Sequence, residues 1–266
     1  MLKKELKIFF AALMFFSRIP CPQWVDHSAE YLNKATRYFP FIGWIVGALS
    51  FASYFIATNM FNAEISVILG MISGILVTGA FHEDGFAVVC VGFGGGWTKE
   101  NILEIMNDSR VGAYGVIGLI LLFLFKFYLL VQIVQLSFPF PFHVAITLFI
   151  VFIAAHAISR LAAASIVFTH AYVSEDLTSK SKPIAQDYSW KEVFGASFFG
   201  LAPILFLSYY QYQLLYSILT VAVARYFLAR YYQKWIGGYI GDCLGATQQV
   251  CEVVFYLTII GIWKFI

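Results

Sequence analysis

The chain has 266 residues, of which 61% are hydrophobic and only 12% charged, and its mean hydropathy is +0.78. Soluble domains are roughly 45–50% apolar and about 25% charged, so this composition excludes an ordinary soluble protein and indicates a polytopic membrane protein. The formal net charge is +2 and the basic residues form no patch, which argues against a nucleic-acid partner. The four cysteines have neither a CxxC pair nor zinc-ligand spacing, and we interpret them as free thiols.

The amino-terminal segment combines Lys3, Lys4 and Lys7 with an apolar run from Ile8 to Phe16. It resembles the beginning of a signal peptide, but it has no small-residue cleavage site, and about nine apolar residues are too few to span a bilayer. The pattern therefore predicts a helix that lies at the membrane interface.

Seven apolar runs then have the length of membrane spans, since about 20 residues cross roughly 30 Å of hydrocarbon. They are predicted to be helices because they are continuous and lack the strict alternation of barrel strands. The runs are Tyr38–Ala57, Ala63–Ala80, Val111–Leu136, His143–Phe168, Val193–Tyr210, Leu214–Ala229 and Cys251–Ile266. The fifth and sixth could instead form a tight hairpin. The predicted fold class is all-α: a polytopic integral membrane protein with about seven transmembrane helices and an amino-terminal interfacial helix, in a single domain over residues 1–266.

The connections between these runs divide by charge into two sets. Lys and Arg occur in Ser17–Arg37, Phe81–Arg110, Thr169–Glu192 and Arg230–Val250, and are absent from Thr58–Asn62, Ser137–Phe142 and Gln211–Gln213. The positive-inside rule then makes the first set cytoplasmic. All polar motifs are therefore predicted to meet on one cytoplasmic face, as an enzyme with soluble substrates requires, whereas a transporter more often places polar residues near the midplane of both halves.

The most polar stretch is residues 82–115, which hold five of the fifteen acidic side chains between two apolar runs. Charge this dense beside a membrane is costly, and it therefore indicates a functional site. Carboxylates at i, i+4 and i+7 share one face of a helix and would bind Mg²⁺, which usually bridges to substrate phosphates. Here the three positions are Asp84, Val88 and Val91, so only Asp84 remains there, with Glu83 beside it.

The same stretch contains three further signals. The run Gly92–Gly96 could leave backbone amides free to cradle a phosphate, or could let the chain turn tightly. Thr98 is the predicted cap of a short helix over residues 101–106. Asp108 and Arg110 could form a salt bridge, or could act as a metal ligand and a phosphate clamp.

Ionisable residues inside the apolar runs are candidate site residues. His156 and Arg160 are spaced i, i+4 in the fourth run, where Arg160 could reach a phosphate, or could snorkel or pair with a buried carboxylate. Lys126 lies in the middle of the third run and could pair with Glu64 or Glu252, or line a cavity.

Two polar segments lie outside the central stretch. Asp242 follows a glycine and could join the cytoplasmic site or cap a helix. Residues 174–183 are predicted to be a solvated loop, with a mobile lid as the alternative.

Several of these stretches together resemble a known family. His82-Glu83-Asp84-Gly85-Phe86-Ala87, Gly92–Gly96 and Leu103–Gly115 resemble the signature of the cobalamin synthase, or adenosylcobinamide-GDP ribazoletransferase, family. Supporting similarity is found at Phe16–Pro22, at Tyr38–Gly43 and at Gly241–Ala246 with Glu252. The resemblance extends across nearly the whole chain.

The resemblance implies Mg²⁺-dependent transfer of the corrinoid phosphate of adenosylcobinamide-GDP to α-ribazole or its 5′-phosphate, with release of GMP. Catalysis of such a substitution at phosphorus is mostly positioning and charge neutralisation. The candidate catalytic residues are Asp84 and Asp108, the candidate metal ligands are Glu83 and Asp84, and the candidate substrate-binding residues are His82, Arg110, Arg160 and Asp242.

The chain departs from the family at two positions. The family pattern reads Asp-Gly-x-Ala-Asp-x-x-Asp, and Val88 and Val91 stand where the two later Asp residues are expected. Valine is close to aspartate in size but offers no lone pair, so we expect the backbone to survive while binding of Mg²⁺ and the diphosphate is badly weakened. The chain is therefore expected to be a catalytically disabled variant whose turnover is nearly absent.

Two other functions remain open at this point. A CDP-alcohol phosphatidyltransferase-like enzyme also uses an Asp-Gly-x-x-Ala motif, but Val88 stands where that family has Arg. A non-catalytic membrane binding protein is favoured by Val88 and Val91 and disfavoured by the intact remainder of the motif. Apart from the lipid bilayer and the substrates, the sequence specifies no partner, and a homo-oligomer is compatible with it.

Overall fold

The structure is a computed structural model that describes residues 2–25, 29–108, 110–137, 144–173 and 188–265. Over these ranges the chain forms eleven α-helices and two short 3₁₀ turns, at Thr36–Tyr38 and Tyr212–Leu215, and no β-strand. The helices are α1 (Leu2–Phe16), α2 (Ala29–Ala35), α3 (Phe39–Ala57), α4 (Ala63–Thr78), α5 (Phe81–Gly95), α6 (Lys99–Asn107), α7 (Ala113–Ser137), α8 (Val144–Val167), α9 (Trp190–Tyr210), α10 (Tyr216–Ile236) and α11 (Gly241–Phe265).

The all-α, polytopic prediction is confirmed, with one change to the second span. In the described ranges, six helical segments are long and apolar enough to cross a membrane, and the pair α4 and α5 is a seventh candidate only if its two bent halves count as one span. With 16 residues, α4 is about 24 Å long, which is short of the roughly 30 Å hydrocarbon core. The chain then bends by 88° into α5.

The bend between α4 and α5 is built from two left-handed residues, Gly79 at φ 68° and Ala80 at φ 58°. The Arg18 side chain packs so closely against Gly79 that a Cβ there would collide with it, and the Arg18 amide donates to the carbonyl of Val77 at 2.7 Å. A non-glycine residue at positive φ is strained and is held only by surrounding packing. The turn directs the first residues of α5 into the helix bundle.

The prediction that Phe81–Arg110 is a connection with one short helix is only partly correct, because most of this stretch is helical. Residues 81–95 form α5 and residues 99–107 form α6. Thr98 is the predicted cap of α6, and its side chain accepts a hydrogen bond from the Asn101 amide at 3.3 Å. The short helix predicted over residues 101–106 is therefore confirmed as part of α6, whereas α5 was not predicted, since charged residues lower hydropathy without opposing helix formation.

The glycine run belongs to the end of α5 and does not form a phosphate cradle. Its helix continues to Gly95, and the Gly96 amide donates to the Gly92 carbonyl at 2.9 Å, so these amides are used within the helix. A Cβ on Gly92 would collide with the Met106 side chain, and one on Gly94 would lie 2.8 Å from the Tyr114 ring. The glycines therefore allow α6 and the start of α7 to pack closely on α5.

The last two spans are longer than the hydropathy pattern indicated. Helix α10 continues to Ile236, and α11 begins at Gly241, well before the predicted start at Cys251. Both α9 and α10 have the length of a full span. Residues 138–143 and the 174–183 segment, where a lid was considered, lie outside the described residues.

Helix α8 forms the centre of the bundle, and α3 packs directly on its backbone. A Cβ on Gly43 would collide with the His156 carbonyl, and one on Gly47 would lie 2.7 Å from the Phe152 carbonyl. Small residues spaced four apart let two membrane helices approach closely. This contact fixes the position of His156 and, one turn later, of Arg160.

Candidate functional site

A polar cavity lies in the helix bundle, and residues of α3, α4, α5, α7, α8 and α11 line it. It holds about 470 Å³ of space between side chains, including its open side. Its ionisable and amide lining residues are His82, Glu83, Lys126, His156, Arg160, Gln248, Gln249, Glu252 and Tyr256. Apart from His82 and Glu83, which lie at the start of α5, these residues are on helices long and apolar enough to span a membrane, where ionisable groups mark functional sites.

An ion pair joins opposite walls of the cavity. Lys126 Nζ lies 3.0 Å from Glu252 Oε1, and it also donates to Gln249 Oε1 at 3.0 Å. The Tyr256 hydroxyl donates to the same Glu252 oxygen at 3.2 Å. Of the two partners considered for Lys126, the structure therefore selects Glu252, while Glu64 is exposed at the start of α4.

Two glutamines connect the acidic residues of the cavity. Gln249 Nε2 donates to Glu83 Oε1 at 2.8 Å and to Gln248 Oε1 at 2.9 Å. Gln248 Nε2 in turn donates to Glu252 Oε2 at 2.8 Å and to the Ser159 hydroxyl at 3.0 Å. Because neighbouring members polarise one another, such a network holds Glu83 and Glu252 in fixed orientations.

Arg160 is a buried guanidinium that forms no ion pair with any of the described residues. Its Nη1 donates to the His156 carbonyl at 2.9 Å and lies 3.3 Å from His156 Nδ1, which confirms that the predicted i, i+4 pair is in contact. No carboxylate of a described residue lies within 4.0 Å of it. The guanidinium also lies 5.8 Å from the centre of the Phe39 ring, which stacks on His82.

Four polar atoms of the cavity lack a hydrogen-bond partner among the described residues: Ser50 Oγ, His82 Nε2, Glu83 Oε2 and Arg160 Nε. These side chains are nearly inaccessible, with exposed fractions of 3%, 1%, 7% and 1%. An unsatisfied buried polar group costs roughly 1–3 kcal/mol, so four of them around one cavity mark it as a candidate binding site.

A second group of acidic residues lies at the edge of the bundle, where the α5 and α11 helices cross. Asp84 is exposed in the first turn of α5, and Asp242 lies in the first turn of α11 within electrostatic range of it. The contact is made through Gly85, where a Cβ would lie 3.0 Å from the Asp242 carbonyl oxygen. The structure thereby brings together Asp84 and Asp242, two predicted site residues that are far apart in sequence.

The side chains of the candidate metal ligands Glu83 and Asp84 lie in different environments. Glu83 lines the cavity, whereas Asp84 is exposed and does not. Within the described residues, no group of three or more His, Cys, Asp or Glu side chains is placed to hold a metal ion. The residues present do not fit a three-carboxylate magnesium site, and the assignment of these two ligands stays a prediction.

The two positions with valine lie in apolar contacts on the same helix. Val88 is partly buried against the cluster formed with α6 and α10, and Val91 packs against the start of α7. A Cβ on Gly112 or Gly115 would lie 3.0 or 2.9 Å from Val91 methyl groups. Below Asp84, this face of α5 is therefore an apolar packing surface.

Asp108 and Arg110 form the salt bridge that the sequence left open. Arg110 Nη2 lies 2.5 Å from Asp108 Oδ2, and its Nε donates to the same oxygen at 2.9 Å. Hydrogen bonds from the Arg110 side chain hold the pKa of the Asp108 carboxyl below its usual range. The pair is exposed and lies outside the cavity lining.

Sequence reasoning missed Gln248, Gln249 and Tyr256 as site residues. The available signal was their spacing with Glu252, because positions 248, 249, 252 and 256 share one face of α11. Hydropathy hides this spacing, because it places residues 230–250 in a connection and so separates Gln248 and Gln249 from Glu252 and Tyr256, whereas α11 begins at Gly241.

Comparison with known proteins gives a consistent result over nearly the whole chain. The sequence model of a family described as cobalamin-5-phosphate synthase matches residues 8–260. A curated adenosylcobinamide-GDP ribazoletransferase of Shewanella frigidimarina (strain NCIMB 400) is 42% identical over 97% of this chain and 96% of its own length. The protein of the same name from Shewanella amazonensis (strain ATCC BAA-1098 / SB2B) is 44% identical over 98% of both chains. No solved structure matches this chain.

Proposed function

The chain belongs to the cobalamin-5-phosphate synthase family, and we propose that it binds the phosphates of adenosylcobinamide-GDP at the face where Asp84 and Asp242 lie close together. The family makes the chain a transferase of cobalamin biosynthesis. The proposed position of the phosphates rests on the close contact of Gly85 with the Asp242 backbone, which brings the central and carboxy-terminal motifs into contact.

The reaction is substitution at phosphorus. The hydroxyl of α-ribazole, or of its 5′-phosphate, forms a bond to the corrinoid phosphate, and the bond to GMP breaks with its electron pair remaining on GMP. The hydroxyl proton passes to solvent, to which the Asp84 face is exposed. In this proposal Asp84 accepts a hydrogen bond from the attacking hydroxyl and so orients it. Asp108 holds Arg110, whose exposed guanidinium is available to a phosphate oxygen.

Magnesium would neutralise phosphate charge in such a transfer. Because Val88 and Val91 offer no metal ligand, the side chains around Asp84 do not fit a magnesium site. We propose that the chain folds as its relatives do but is catalytically disabled by these two residues.

The proposed location is the bacterial inner membrane, with the active face in the cytoplasm. Support comes from the Lys and Arg residues, which lie in the connections of one set and are absent from the other. The exposed Asp84 and the Asp108–Arg110 pair lie in the segment that this rule assigns to the cytoplasm.

The experiment is to measure GMP release from adenosylcobinamide-GDP and α-ribazole, with Mg²⁺, by the purified protein in detergent. We compare the chain itself with Val88→Asp plus Val91→Asp. Restored carboxylates are expected to raise the rate by about 100-fold or more, since a metal ion contributes several kcal/mol of transition-state stabilisation.

Two controls define the interpretation. Val89→Asp adds a carboxylate beside the i, i+4, i+7 face and is expected to give no activity, whereas Asp84→Asn in the restored protein should abolish the gain. Equal rates in the original and restored chains would show that positions 88 and 91 hold no catalytic ligand. Binding of both substrates without turnover in either chain would favour a non-catalytic binding protein.

A further inference from the structure

The charges that line the cavity cancel one another. Lys126 and Arg160 contribute two positive groups, and Glu83 and Glu252 contribute two negative groups. A phosphate placed here would meet two carboxylates, and an ammonium group would meet two cations. Because an uncompensated charge is very costly in a membrane interior, the cavity favours an uncharged occupant.

The unpartnered atoms define which uncharged group fits. Arg160 Nε is a donor, and Glu83 Oε2 is an acceptor in its ionised form. His82 Nε2 can act in either role according to its tautomer, and the Ser50 hydroxyl can both donate and accept. A group that both accepts and donates would satisfy these atoms together. A primary carboxamide does so, because its oxygen accepts and its NH₂ donates.

Part of the cavity lining is apolar. Met71 and Ile75 of α4 and Phe123 of α7 belong to it, and all three are half-buried. A Cβ on Gly70 or Gly74 would lie 3.0 or 2.7 Å from an oxygen atom of Ser50, so these glycines let α4 pack closely on α3. The lining therefore suits a small polar group that is joined to an apolar carrier.

We propose that this cavity binds a primary carboxamide arm of the corrinoid substrate, with the arm's oxygen toward Arg160 and its NH₂ toward Glu83. Cobinamide carries such arms around its corrin ring. The inference rests on the proposed function, since it identifies the part of the substrate that enters the bundle. It assigns Glu83 and Arg160 to substrate recognition and not to the metal.

The test is equilibrium dialysis of the full chain in detergent with adenosylcobinamide, detected by its absorbance. This probe lacks the nucleotide, so its binding does not depend on Val88 or Val91. It is compared with the separated analogues in which one carboxamide is hydrolysed to a carboxylate. For at least one analogue, we expect binding to be weakened by about tenfold or more, because the carboxylate would face Glu83.

The decisive variant is Glu83→Gln, with Glu64→Gln as its matched control on the exposed start of α4. Glu83→Gln is expected to abolish the discrimination between amide and carboxylate, because it removes the negative charge that repels the acid. Glu64→Gln should leave the discrimination unchanged. Arg160→Lys gives a second readout: it keeps the positive charge but removes Nε, and it is expected to weaken adenosylcobinamide binding.

Equal binding of all analogues, or equal behaviour of Glu83→Gln and Glu64→Gln, would overturn the carboxamide site while leaving the proposed function intact. The Shewanella amazonensis relative serves as a parallel sample. If it binds adenosylcobinamide-GDP and this chain binds neither corrinoid, both the carboxamide site and the proposed function fail for this chain.

Discussion

Lys126 on α7 and Glu252 on α11 form an ion pair of 3.0 Å in the interior of the helix bundle. Their side chains are almost fully buried, with exposed fractions of 7% and 2%. Desolvation of the two charges cancels much of their attraction, so the pair adds little net stability. Removing one partner nevertheless leaves the other charge buried and unpaired, which is strongly destabilising. The pair orients Glu252 toward Gln248 and His156, and so forms part of the cavity wall.

Lys126→Met should therefore be strongly destabilising, by about 3–5 kcal/mol, because it leaves the Glu252 carboxylate buried without its cation. The double variant Lys126→Met plus Glu252→Gln should lose at most half as much of the free energy of unfolding as Lys126→Met alone. The measurement is chemical unfolding in detergent micelles. Lys264→Met, near the exposed end of α11, is the matched control and should have little effect; a similar small effect of Lys126→Met would contradict the role of the pair.

Gly43→Ala should destabilise the protein by about 1–3 kcal/mol, since the added methyl group would collide with the His156 carbonyl and push α3 away from α8. Corrinoid binding should fall with it, because His156 and Arg160 would move. In the described structure a Cβ on Gly261 meets nothing within 4 Å, so Gly261→Ala should be neutral or slightly stabilising. Thermal unfolding of both variants makes the comparison, and equal shifts would refute the close-packing account.

Arg37 bonds two carboxylates of unequal burial, and their loss should have unequal effects. Its Nη1 bonds Glu5 at 3.1 Å, and its Nη2 contacts Glu192, which also accepts from the Ser189 amide in a capping box. Glu192→Ala should cost about 3 kcal/mol, and Glu5→Ala about 1 kcal/mol or less, because Glu5 is partly exposed. Unfolding in detergent provides both values. A larger loss for Glu5→Ala than for Glu192→Ala would contradict the conclusion that the more buried ion pair contributes more to stability.

The proposed orientation can be tested by labelling single added cysteines in right-side-out vesicles. Met60→Cys lies in the connection between α3 and α4, and Trp97→Cys lies between α5 and α6; the native side chains are 78% and 82% exposed. A membrane-impermeant maleimide should label Met60→Cys directly, and Trp97→Cys only after permeabilisation. The unaltered chain measures the background from its four cysteines. The opposite labelling pattern would place the Asp84 face outside the cytoplasm.

The local sequence predicted part of the site correctly. Thr98 is the cap of α6, His156 and Arg160 are in contact, and Glu252 is one of the two partners considered for Lys126. Each of these rests on short-range spacing or on the high cost of an unpaired charge in a membrane, which hold whatever the rest of the chain does.

Two features could not be read from local pattern. The inward turn of α5 depends on Gly79 and Ala80 in left-handed conformations, and the Arg18 side chain packs against Gly79. The separation of Glu83 from Asp84 follows from that turn, because adjacent helical residues point about 100° apart and only one of them faces the cavity.

The sequence by itself determined the all-α membrane architecture and the family, because hydropathy and a long contiguous motif are properties of the chain and not of its contacts. The tertiary structure decided which polar residues share a site. It placed Glu83, Lys126, Arg160 and Glu252 around one cavity, and it placed Asp84 beside Asp242 at the edge. The reason is physical: these side chains come from helices distant in sequence, and only the close packing of glycine-containing surfaces sets how those helices meet.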